Sequence, residues 1–141
     1  MYLLDTNVLS ELRKAPATRS PQVTAWATAQ NKEILFISVV SLMEIRRGIV
    51  KLEQRGDAVQ AAMLTRWLHQ HILPAFSGRI FSIDPATALR AAELPWSAPN
   101  DYRDALIAAT ALTHGMTVVS RNIKDFAATG AKLLNPWEVT P

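Results

Sequence analysis

The sequence predicts an α/β fold, a three-layer sandwich with a mostly parallel central sheet, and three observations carry that prediction. Short apolar runs recur along the chain, bounded by turn residues. Amphipathic stretches of helical period separate them, supplying the long crossovers that parallel strands require. The segment ALIAATAL is small or apolar almost all round, as expected of a helix lying flat on a sheet.

Tyr2 to Asp5 reads as a strand ending in a carboxylate, then a sharp turn at Asn7 and a helix through Val8, Leu9 and Leu12. Ala15 to Pro21, with two prolines and small polar residues, reads as a loop, and Pro21 fits the first turn of a second helix through Ala25, Trp26 and Ala29. Ile34 to Ile37 is a strand, and Ser38 caps the helix after it. Leu42, Ile45, Ile49 and Leu52 give that helix one apolar stripe, with Glu44 off it. A helix from Asp57 to His71 forms a hairpin with it, hinged near Arg55 and Gly56. Arg79 to Ile83 is a third strand, and Asp84-Pro85 starts a helix to Leu94. After a proline-bearing loop, Asp101 to His114 is helical and Gly115 ends it. Thr117 to Ser120 is a fourth strand, Asn122 to Phe126 a turn or short helix, and Lys132 to Leu134 a last strand closed by Asn135-Pro136.

At 141 residues and 49% hydrophobic, the chain suits one domain spanning 1–141. The absence of cysteine excludes disulfides and thiol-based catalysis or metal binding. The N-terminus has no basic leader, and no run nears the roughly 20 apolar residues of a membrane span, which predicts a soluble, cytoplasmic protein.

Four carboxylates stand where a strand gives way to a helix or loop: Asp5 in LLDTNVLSE, Glu44 in ISVVSLMEIRRGI, Asp104 in DYRDALIAATA and Asp125 in VVSRNIKDF. Ligands of parallel sheets sit outside the carboxyl ends of the strands, so topology can bring these acids to one edge although the outer two lie 120 positions apart. Glu44 is the hardest to place, since it must reach back from the second turn of its helix. Taken singly, each acid has an ordinary reading: a cap for Asp5, a dipole partner for Asp104, a turn residue for Asp125. Together, hard oxygen ligands with no cysteine and no chelating histidine pair select Mg²⁺ or Mn²⁺ and metal-assisted phosphodiester cleavage. With these four sequestered, eight acids face 15 Lys and Arg, a basic remainder suited to a polyanion.

Asp101, three positions before Asp104, reads as a cap or an outer acid of the site. His69 and His71 diverge on their helix, and His114 sits at a helix C-terminus. Arg47, Lys51, Arg121 and Lys124 are candidates for phosphates, and Trp96 for stacking on a base; Trp26, Trp67 and Trp137 read as packing residues.

These segments, with the closing NPW at Asn135 to Trp137, occur in an order that resembles the PIN-domain ribonucleases, and among them the VapC toxins of toxin–antitoxin pairs, especially the FitB-like group. The resemblance spans nearly the whole chain; Ser41 stands where threonine is common and keeps the hydroxyl. It implies Asp5 and Asp104 as the principal Mg²⁺ ligands, Glu44 and Asp125 completing the quartet, and Thr6, Asn7, Ser38, Ser120 and Asn122 orienting ligands or water. It also implies an RNA substrate, a homodimer and a cognate antitoxin that occludes the acidic pocket. Alternatives are a nuclease of the same fold acting on DNA or in RNA processing, and a non-catalytic RNA-binding module. An aspartate-nucleophile phosphatase needs a second Asp where Asn7 stands, and a phospho-receiver needs a Lys where Asn135-Pro136 stands.

Overall fold

The computed structural model describes residues 1–96 and 102–139. Five strands form one sheet in the order β3-β2-β1-β4-β5: β1 is Tyr2–Leu4, β2 Leu35–Ser38, β3 Ile80–Phe81, β4 Thr117–Val119 and β5 Lys132–Leu134. Every pairing is parallel, so the sheet is wholly rather than mostly parallel. Tyr2 lies opposite Leu35 on one side and Thr117 on the other, which makes β1 the central strand.

The helices are α1 (Thr6–Arg13), α2 (Pro21–Ala29), α3 (Val39–Gln54), α4 (Ala58–Trp67), the short α5 (Leu73–Ala75), α6 (Pro85–Glu93) and α7 (Tyr102–His114). Their starts follow from side chains that accept the first free backbone N–H groups: Asp5 for α1, Ser20 for α2, Ser38 for α3, Asp57 for α4 and Asp84 for α6. Pro21 and Pro85 stand at the first helical position, where a missing N–H costs nothing. Gly56, with φ 82°, makes the left-handed hinge between α3 and α4.

Strand alternation sorts the core into two layers. Leu4, Leu35, Ile37 and Val119 point to one face, where they meet Val8, Trp26, Ile45, Ile49 and Leu68. Leu3 and Val118 point to the other, against Ile107, Ala108, Ala111 and Phe126. Leu3 and Leu4 are 0% and 2% exposed, and each contributes about 1.5–3 kcal/mol of hydrophobic burial. The small residues of α7, from Ala105 to Ala111, are mostly buried and let its backbone lie close to the sheet.

Two elements differ from expectation. The helix expected to stop at His71 runs on through a wide π turn, Leu68–Ile72, in which the Leu73 N–H reaches the Leu68 carbonyl; Pro74, without an N–H, follows that turn. Strand β3 is only two residues long, because it is an edge strand with one neighbour and Asp84 already turns outward as a cap. The turn or short helix expected over Asn122 to Phe126 is a 3₁₀ run, Ile123–Thr129, carrying Asp125.

Candidate active site

Asp5 ends the central strand, and its N–H bonds the Val119 carbonyl at 2.9 Å, fixing it against the end of β4. Its carboxylate is 8% exposed. One oxygen accepts the Thr6 N–H at 2.8 Å, and the other accepts the Ser120 hydroxyl at 2.8 Å, with the Asn7 amide at 3.5 Å. Ser120, itself fully buried, also accepts from Asn7 Nδ2 at 3.2 Å and from the Asn122 N–H at 3.0 Å. Its hydroxyl is thereby held with the proton on Asp5. Asn7 Oδ1 accepts the Arg121 N–H at 3.3 Å, closing a network between α1 and the loop after β4.

Glu44 reaches the same edge from α3. The Thr6 hydroxyl donates to its Oε1 at 3.0 Å and lies 3.0 Å from the buried Ser41 hydroxyl, while Oε2 faces the Arg103 guanidinium at 3.7 Å. Asp104 sits in the first turn of α7, and Asp125 is exposed on the 3₁₀ run.

All four acids line one cavity of about 520 Å³, together with Thr6, Asn7 and Asn122. Burial pushes the Asp5 carboxyl above its usual range against the pull of the Ser120 and Thr6 bonds, and Asp125 raises it further. Burial likewise raises Glu44, with the negative charge of Asp5 adding to it, while Thr6 and Arg103 act the other way. The acids share a cavity without converging on one point: among the described residues no three acidic or histidine side chains form a ready-made cage. Uncompensated like charges favour that spacing, and a divalent cation would remove both the desolvation and the repulsion. The donor set, carboxylate, hydroxyl and amide oxygens, fits Mg²⁺ or Mn²⁺.

The remaining candidates divide. Arg121 lines the cavity, and Lys124 lines an adjoining one of about 580 Å³ that shares Arg121, Asn122, Asp125 and Trp137 with it. Arg47 and Lys51 are exposed on α3 and do not line the cavity: they share Glu44's side of the helix but stand one and two turns further along it, away from the sheet edge. Trp96 does not line it either; its indole N–H is tied to the Ala91 carbonyl at 3.0 Å, at the end of α6. Ser38 is buried and caps α3 through the Val40 N–H at 3.0 Å, so its hydroxyl serves the helix rather than a carboxylate. His114 packs on the Phe81 ring at 4.3 Å. Asp101 lies outside the described residues.

Several cavity residues escaped the sequence reading. Glu11 and Lys14 line it, joined at 2.9 Å, and their spacing of four and seven from Asn7 on α1 was the available signal. Arg103, which faces Glu44 without lining the cavity, had only its adjacency to Asp104. Trp137, read as packing, lines both cavities. A larger cavity of about 650 Å³ between α3 and α4, lined by Arg46, Ala61 and His69, holds none of the four acids.

An acidic cavity at the carboxyl edge of a five-stranded parallel sheet suits a hydrolytic nuclease domain. The chain belongs to the PIN-domain family, whose model matches residues 2–132. It is 35% identical over 143 residues to VapC ribonuclease Y4jK of Sinorhizobium fredii, covering 98% of this chain and 99% of that protein. Toxin FitB of Neisseria gonorrhoeae is 36% identical over 143 residues, covering 97% and 99%. The crystal structure of FitAcB from the same organism superposes with a TM-score of 0.85 at 32% identity, over 99% of this chain and 100% of that one. A structure of FitAB bound to the IR36 DNA fragment gives 0.83 at 30% identity, over 100% and 99%.

Proposed function

We propose that this chain is the toxin of a type II toxin–antitoxin pair, a Mg²⁺-dependent endoribonuclease. The observation that carries the reading is the meeting of Asp5, Glu44, Asp104 and Asp125, from four separate elements, around one cavity. Relatives named as a VapC ribonuclease and a toxin, matched over nearly their full lengths, support it.

Asp5 and Asp104 would hold the cation, with Glu44 and Asp125 completing its surroundings. A cation held there would supply Lewis acidity toward a phosphoryl oxygen and lower the pKa of water for hydrolysis. The chain's own residues provide orientation. Ser120 and Thr6 aim the Asp5 and Glu44 carboxylates, and Asn7 ties both walls together. Lys14 and Arg121 at the rim offer positive charge to the substrate backbone.

A small cognate antitoxin occluding the cavity and a homodimer complete the proposal. Exposed Met43, Val59 and Met63 on the α3–α4 hairpin support a self-association surface. Among the described residues no helix is long and apolar enough to cross a membrane.

Digestion of RNA and single-stranded DNA side by side, with and without excess EDTA, tests the reading. RNA cleavage abolished by EDTA and restored by Mg²⁺, with 5′-phosphate and 3′-hydroxyl ends, is expected. Cleavage that survives EDTA, or 2′,3′-cyclic phosphate ends, overturns the metal mechanism; cleavage of DNA alone overturns the substrate.

A further inference from the structure

We infer that Trp137, Arg121 and Lys124 form a subsite for the nucleotide next to the scissile phosphate. The inference rests on the ribonuclease reading and gives the substrate a path across the surface. The catalytic cavity and its neighbour meet at Arg121, Asn122, Asp125 and Trp137, so a strand leaving the acids has a continuous route into the second compartment.

The platform at that junction is built. Asn135 Nδ2 donates to the Arg121 carbonyl at 3.2 Å, and Asn135 Oδ1 accepts the Trp137 N–H at 3.0 Å. One amide side chain thus fixes both residues, with the buried Pro136 stiffening the step between them. The Arg121 guanidinium sits over the Trp137 ring, 5.3 Å from its centroid. Trp137 rests partly against the core and is half-buried, yet lines both cavities, so its remaining surface is open to a ligand.

A guanidinium carried over an indole ring suits an unpaired base, which stacks on such planes without regard to its identity. Lys124 and Arg121 are exposed cations placed for the phosphates on either side. Asp125 lines the same junction. The NPW segment thereby acquires a role: its asparagine positions, and its tryptophan binds.

The test is equilibrium binding of a short single-stranded RNA by the full-length Asp104→Asn protein in Mg²⁺, over a range of salt, with melting temperature recorded for each added substitution. Trp137→Ala is expected to weaken binding roughly tenfold with an unchanged salt slope. Trp137→Phe restores most of the affinity, since a smaller ring still stacks. Lys124→Ala, an exposed change, lowers the log–log salt slope by about 0.7, the share of one single-strand phosphate. Affinity within twofold of the parent for Trp137→Ala, or equal losses for the Ala and Phe variants with an unchanged slope for Lys124→Ala, overturns the subsite. Cleavage of RNA by the unsubstituted protein keeps the ribonuclease reading standing in those cases. Failure of the unsubstituted protein to cut RNA removes both.

Discussion

The Ser120 hydroxyl donates to Asp5 Oδ2 at 2.8 Å across 115 positions of sequence, and it opposes the burial that pushes that carboxyl above its usual range. It joins the ends of the two central strands at the point where the chain leaves them on different paths.

Ser120→Ala is therefore expected to cost about 1–3 kcal/mol of stability, because it strips a buried donor from Asp5 and an acceptor from Asn7 and the Asn122 N–H. The Asp5 carboxyl rises further, so the acid limb of the pH–cleavage profile shifts to higher pH. An unmoved acid limb in a folded variant would show that Asp5 does not need this bond.

The metal-free protein is expected to gain stability as pH falls below neutral. Asp5 and Glu44 have folded pKa values above their ordinary 3.8 and 4.5, so the native state holds more protons than the unfolded chain between those values and the raised ones. Their destabilising effect is present above the raised values and is relieved as pH falls through them toward the ordinary range. Melting temperatures between pH 7 and 5 check this. Saturating Mg²⁺ should flatten or reverse the trend, because protons then compete with the cation.

Glu11 has the opposite sign. The Ser20 N–H and then Lys14 hold its carboxyl below the usual range, so its contribution is present above about 4.5 and is lost as pH falls through the lowered value. Glu11→Gln keeps an acceptor for the Ser20 N–H at the start of α2 and loses the Lys14 pair. A melting temperature lower by roughly 2–4 °C at neutral pH is expected, with the gap closing in acid. A gap that persists at low pH would assign the loss to packing.

Asp104→Asn keeps the shape of its side chain and removes one negative charge from the cavity. Cleavage is expected to fall more than about 100-fold, beyond what loss of a residue merely supporting a ligand brings. Calorimetry with Mn²⁺ should show the loss of affinity directly. Asp125→Asn, at an exposed position, is expected to cost less. If the two variants rank in the reverse order, Asp125 is the principal ligand.

The fold was legible because its signals are local: apolar runs, caps such as Ser38 and Asp84, and the proline and glycine boundaries. The extent of β3 was not, since an edge strand's length depends on its neighbour. The meeting of Asp5 with Asp104 and Asp125 followed from topology: a strand end, the first turn of a helix and the segment just beyond a strand. Glu44 was the doubtful step, and Thr6 resolves it by reaching across from α1 to hold its carboxylate. The surface residues fared worst. Arg47 and Arg121 look alike as letters, and only three-dimensional placement tells a solvated arginine from one at the rim of a cavity. Trp137 packs against the core as its reading had it, and what the letters could not show is that it also lines both cavities.

Because β1 sits between β2 and β4, the oldest part of a growing chain waits for one of the youngest. Tyr2 finds Thr117, and Asp5 finds Ser120, only after residues 117–120 have left the ribosome. At about 5–20 residues per second, the nascent polypeptide spends several seconds with its acids unassembled. Arrested chains ending before Thr117 are expected to be harmless to added RNA, whereas chains carrying β5 beyond the exit tunnel should cut it. Translation itself thus delays the moment at which a product able to destroy messages becomes active, leaving an interval in which an inhibitor already in the cell can be ready for it.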